Sequence, residues 1–168
     1  MAAQFLRYPG AQVFAFDKGY SSFALCNAVG GAHYDIAGDA ARDLAFCPLA
    51  DIDQPGVRVW ASEWIEGLLR LQSIEPTPAR RREIHAALER LRESPDRTLT
   101  HFASTVQDAE VRAGLRHYTL EGAMGELLDA ELDGLRDSRF QVFEVEHLMS
   151  KGEQNAVPVL LYLFHQIE

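Results

Sequence analysis

Two cysteines among 168 residues, Cys26 and Cys47, form no CxxC pair and no ladder of evenly spaced thiols. A disulfide framework is therefore not expected, and free thiols suit a reducing cytosol. Positive charge is scarce: 16 Lys plus Arg stand against 25 Asp plus Glu, a net charge of −9. That sign repels a phosphate backbone and no dense basic stripe offsets it, so direct nucleic-acid binding is not expected. No apolar run approaches the ~20 residues needed to span a bilayer; the best, residues 157–164, is far too short. The first nine residues lack a basic stretch followed by a long apolar run, so no secretory signal is read there and a cytoplasmic location is expected.

Several chemical signatures are missing as well. There is no GxxxxGK[ST] phosphate cradle; Gly30-Gly31 lacks the third glycine and the lysine, and no strand precedes Gly122 and Gly125. No acidic pair follows an apolar strand to hold magnesium. The six histidines, His33, His85, His101, His117, His147 and His165, make no HxH or HExxH pair, so no metal site is expected. Ser21 and Ser22 have no GxSxG setting, and neither cysteine has an activated context. As it stands, the chain lacks the parts for nucleotide hydrolysis.

What is present is the composition of a folded domain, 47% apolar and 24% charged. Residues 12–16, Gln-Val-Phe-Ala-Phe, are apolar on both faces and bounded by Pro9-Gly10 and Asp17-Lys18-Gly19, the pattern of a buried strand in a parallel sheet. Ser21 or Ser22 is expected to cap a short helix ended by Gly30-Gly31. Residues 33–36 read as a weaker strand, and residues 37–54 as an ordered loop anchored by Leu44, Phe46 and Leu49.

From Val57 the period changes to helical, with Trp60, Trp64, Leu68 and Leu71 on one stripe. Thr77-Pro78 opens a second helix carrying Ile84, Leu88 and Leu91, which stops before Ser94-Pro95. Leu99, Phe102 and Val106 mark a third; Asp108 caps a fourth bearing Val111, Leu115 and Tyr118. Arg80-Arg81-Arg82, next to Glu83, Glu89 and Glu93, reads as a solvated, salt-bridged face. Residues 139–145 return to a strand pattern, with Glu144 and Glu146 expected at a solvated strand end, the alternative being that one of them points into a cleft. A closing helix over residues 153–168 is apolar around most of its circumference, as for a helix packed against a sheet.

The candidate site is Asp17-Lys18-Gly19, because the carboxyl ends of strands in open α/β sheets are where ligands bind. The plainer reading has Asp17 and Gly19 making the turn with Lys18 facing solvent.

The collinear order of these segments resembles the TrbE-like conjugal-transfer ATPases of type IV secretion systems. The resemblance runs through Tyr8-Pro9-Gly10-Ala11-Gln12-Val13-Phe14-Ala15-Phe16-Asp17-Lys18-Gly19, Leu44-Ala45-Phe46-Cys47-Pro48-Leu49, Trp60-Ala61-Ser62-Glu63-Trp64-Ile65 and Arg97-Thr98-Leu99-Thr100. It continues through Tyr118-Thr119-Leu120-Glu121-Gly122, Phe140-Gln141-Val142-Phe143-Glu144 and Val157-Pro158-Val159-Leu160-Leu161-Tyr162-Leu163-Phe164. It implies an α/β fold, a partial RecA-like P-loop NTPase core of few, mostly parallel strands with an all-α insertion. The implied division is core over residues 1–56, helical insertion over 57–128 and return to core over 129–168.

The resemblance further implies that the family's phosphate loop lies before the position matching Met1 and its magnesium-binding acidic strand after that matching Glu168. Met1 would then fall in the helix leaving the phosphate loop. ATP and magnesium are cofactors of the parent family, with none expected in this chain. Asp17, Lys18 and Gly19 are the nucleotide-proximal residues carried over; Tyr20 stands where a basic residue is common. Type IV secretion components and self-association are the partners implied, at the cytoplasmic face of the inner membrane. The chain is thus expected to be an inactive internal fragment, with sheet edges exposed at the strands beginning near Gln12 and Phe140. An alternative is a stand-alone interaction module that binds secretion components; a third is a small hydrolase pairing Asp17 with a histidine.

Overall fold

The computed structural model describes residues 2–38 and 44–167. Met1, Glu168 and residues 39–43 of the expected loop lie outside the described residues. The fold class is α/β, with parallel strands and many helices, in two compact units. One unit comprises residues 1–44 and 135–152; the other comprises 45–134 and 153–166.

In the first unit a 3-10 helix, Ala2–Arg7, leads into β1, Val13–Asp17. Helix α1, Phe23–Ala28, and strand β2, Ala32–Asp35, follow. Strand β3, Phe140–Glu144, lies between β1 and β2 and pairs in parallel with both. The strand beginning at Phe140 is therefore central, not an edge as expected; the edges are β1 and β2. Every residue of β3 is buried, Gln141 and Glu144 included, as befits a central strand covered on both faces.

Alternation of side chains divides the sheet's two faces. On one, Phe140 and Val142 pack with Cys26 of α1 and with Ala2, Leu6, Val13, Ala15 and Val29. On the other, the Phe143 ring bridges the strands, 5.2 Å from Phe16 and 5.5 Å from Tyr34. A short helix α7, Glu146–Ser150, leaves the end of β3.

The second unit is helical. Its elements are α2 (Pro55–Leu71), α3 (Pro78–Arg92), α4 (Leu99–Thr105), α5 (Ala109–Leu115), α6 (Gly125–Leu128) and α8 (Glu153–His165). Two of the caps, Thr77 and Asp108, are those the sequence calls for, and Thr98 adds one it did not single out. Thr98 Oγ1 accepts the His101 N–H at 3.1 Å, and Asp108 Oδ1 accepts those of Glu110 and Val111 at 2.9 and 3.1 Å. Thr77 Oγ1 accepts from Arg80, with Pro78 opening α3. Ile84, Leu88 and Leu91 of α3 are fully buried, each worth roughly 1.5–3 kcal/mol of transfer free energy.

The basic run pairs across helices rather than with its own neighbours. Arg80 Nε lies 3.3 Å from Asp108 and Arg81 Nε 3.1 Å from Glu66. The closing helix α8, expected against a sheet, packs in this helical unit on α2, where Trp64 Nε1 donates to the Pro158 carbonyl at 3.0 Å. No helix among the described residues is long and apolar enough to cross a membrane.

Candidate functional site

All three strands end on a carboxylate. Asp17, Glu144 and Asp35 are the last residues of β1, β3 and β2, and the register sets them side by side. Parallel strands make this unavoidable, because their carboxyl ends lie at one edge of the sheet. All three side chains are buried, Glu144 completely. Buried carboxylates need donors, and residues 17–22 supply most of them.

The backbone turns back on itself at Gly19 (φ +82°) and Tyr20 (φ +57°). Glycine takes such a conformation freely, whereas for Tyr20 it costs about 1–2 kcal/mol. The bend aims successive N–H groups at Glu144: Gly19 donates to Oε1 at 3.2 Å and Tyr20 to Oε2 at 2.6 Å. Glu146 N–H, at the start of α7, adds a third bond to Oε1 at 3.0 Å. The expectation of a solvated strand end holds for exposed Glu146 but is corrected for Glu144. Alternation at the strand end gives the face a residue lies on, and carries no information about amides folding over it.

Asp17 holds the second half of the turn. The Ser21 hydroxyl donates to its Oδ1, and the Ser22 N–H donates to Oδ2 at 2.6 Å. The Ser21 bond, with help from backbone amides, holds the Asp17 carboxyl below its ordinary range despite burial. The roles expected of the serines are thereby reversed. Ser22 occupies the N-cap position of α1 but its side chain makes no cap bond; the strand's aspartate receives the donors. Asp17 therefore pairs with Ser21 and Ser22 rather than with a histidine.

Asp35 completes the edge. Its Oδ2 accepts the Tyr20 hydroxyl at 2.7 Å, and its Oδ1 lies 3.3 Å from His147 Nδ1. The acceptor carboxylate disfavours loss of the Tyr20 proton and pushes the phenol up to about 12. The Tyr20 ring stacks on His33 at 5.8 Å, and His33 Nε2 is buried without a hydrogen-bond partner. Lys18 is exposed on the outside of the turn. Asp17, Lys18 and Gly19 thus occupy one turn at the sheet's carboxyl edge, with Glu144 and Tyr20 as residues that spacing alone did not single out.

The other candidate groups lie elsewhere. Both cysteines are free and buried; burial pushes the Cys47 thiol up to about 11 and raises that of Cys26, which makes neither a nucleophile. His117 Nε2 sits 2.7 Å from Asn155 Oδ1, and the His165 ring stacks on Trp60 at 4.0 Å. Among the described residues no group of three or more His, Cys, Asp and Glu is arranged to hold a metal ion.

No family model matches the chain. It is 50% identical over 171 aligned residues to the second portion of a probable conjugal transfer protein TrbE of Sinorhizobium fredii strain NBRC 101917 / NGR234, covering all of this chain and 26% of that relative. It is 51% identical over 173 residues to the conjugal transfer protein TrbE of Rhizobium radiobacter, covering all of this chain and 21% of that one. The chain therefore spans about a quarter or less of the length of these curated relatives.

Proposed function

Because this chain is TrbE-like along its whole length, we propose that it is a segment of a conjugal-transfer ATPase that builds a piece of the RecA-like motor core without gripping nucleotide itself. The observation that carries this reading is the turn over residues 17–22. Its inward N–H groups, which would otherwise be free to cradle a phosphate, are taken by Asp17 and Glu144. The same bonds fill the carboxylates that a magnesium ion would need. The residues present therefore do not fit a magnesium–nucleotide grip.

What the turn offers outward is Lys18, a single cation at the carboxyl edge of a parallel sheet. In this reading Lys18 borders nucleotide held by the phosphate loop of the same motor, and Asp17 and Gly19 shape its approach. The free edges of β1 and β2 pair with further strands of a TrbE-like protein or with a second copy of this chain. Work in the cytoplasm, with type IV secretion components as partners, follows from the same reading.

Complementation tests it. A TrbE-like protein deleted for the matching segment, expressed together with this chain, is expected to bind it and regain conjugal transfer. Separate elution of the two, with no transfer, would count against the proposal.

A further inference from the structure

We propose that Glu144 is a positioning residue, the buried carboxylate that folds the turn over residues 17–22 and so fixes where Lys18 stands. Glu144 has no solvent exposure and takes N–H bonds from Gly19 and Tyr20, which form the bend immediately after Lys18. The unfavourable φ of Tyr20 persists because this carboxylate over-determines it: the residue's N–H ends on Glu144 and its hydroxyl on Asp35. Glu144 Oε1 also takes the Glu146 N–H, so one side chain ties the turn to the first residue of α7. The Val145 N–H donates to the Asp17 carbonyl at 3.0 Å and closes the same junction through the main chain. A shift at the head of α7 would therefore move the Lys18 turn. The role of Lys18 itself rests on the nucleotide-facing reading above.

Amide hydrogen exchange of the whole chain, followed by NMR, tests the positioning role without any nucleotide. In the unaltered protein Gly19 and Tyr20 are expected to exchange at least about tenfold below their intrinsic rates although they sit in an exposed turn. E144Q keeps one acceptor oxygen but presents an N–H₂ at the other position, and is expected to lower the protection of at least one of Gly19 and Tyr20 while Val142 stays protected. E144D, which keeps the charge, is expected to restore some of it. Exchange of Gly19 and Tyr20 at intrinsic rates in the unaltered chain would overturn the proposal, and so would full protection in folded E144Q. If E144Q does not fold, the unaltered chain and E144D decide the matter. K18A in the complementation assay reports on the nucleotide-facing reading separately. Undiminished transfer there would remove that reading and leave the exchange result to stand for Glu144.

Discussion

Asp129 and Thr100 are clasped inside the helical unit by two hydrogen bonds: the Thr100 amide donates to Oδ1 at 2.9 Å and its hydroxyl donates to Oδ2. Oδ2 also accepts the Leu120 N–H at 2.8 Å, so a nearly inaccessible carboxylate joins the first turn of α4 to the loop ahead of α6. Replacing Asp129 by Ala strips two backbone donors of their acceptor, each costing about 1–3 kcal/mol. A loss of roughly 2–4 kcal/mol is expected in urea unfolding followed by tryptophan fluorescence. Both tryptophans, Trp60 and Trp64, lie in that unit. A change below about 0.5 kcal/mol, the scale of an ordinary surface substitution, would contradict the role given to Asp129.

Pro158 sits inside α8 and has no N–H to give the carbonyl of Gln154, four residues back. The Tyr118 hydroxyl takes up that carbonyl instead, at 3.2 Å, while accepting the Gln72 side-chain amide at 3.1 Å. Y118F should therefore destabilise by about 1–2 kcal/mol. In a P158A background the helix supplies its own N–H, and the same substitution should cost less. A double-mutant cycle by urea unfolding reads the difference, and equal costs in both backgrounds would remove the compensation.

Stability should fall at both ends of the pH scale, for different groups. Asp17, Asp96 and Asp108 are all held below 3.8 by donated hydrogen bonds: from Ser21 first for Asp17, from the Thr98 amide for Asp96 and from the Val111 amide for Asp108. Their contribution is complete above that value and lost as pH drops through the lower folded values. Cys47 is raised from 9.0 to about 11 by burial, and Tyr20 from 10.0 to about 12 by Asp35. Their contribution is complete below pH 9 and fades as pH climbs toward 11–12. Thermal melts across pH should show a plateau between these limbs. Stability that rose from pH 9 to 11 would contradict the burial of the Cys47 thiol.

The helices were legible where the sequence punctuates them. Thr77-Pro78 and Asp108 mark starts because capping is local chemistry, and the 84, 88, 91 stripe is one helical face. The aromatic strand ending at Asp17 was legible for the same reason. The short helices α6 and α7 were not, since four or five residues are too few to establish a period. Glu144 was not either: its meaning depends on an N–H 124 positions away, on a bend whose non-glycine member no propensity favours. The environment of α8 escaped because an apolar circumference says that a helix is buried and not against what.

Isothermal titration of the intact chain with ATP and magnesium measures most directly whether this segment grips nucleotide. Heats indistinguishable from dilution are expected up to about millimolar ligand, a binding free energy weaker than about −4 kcal/mol. A saturable one-to-one isotherm in the micromolar range would contradict the account.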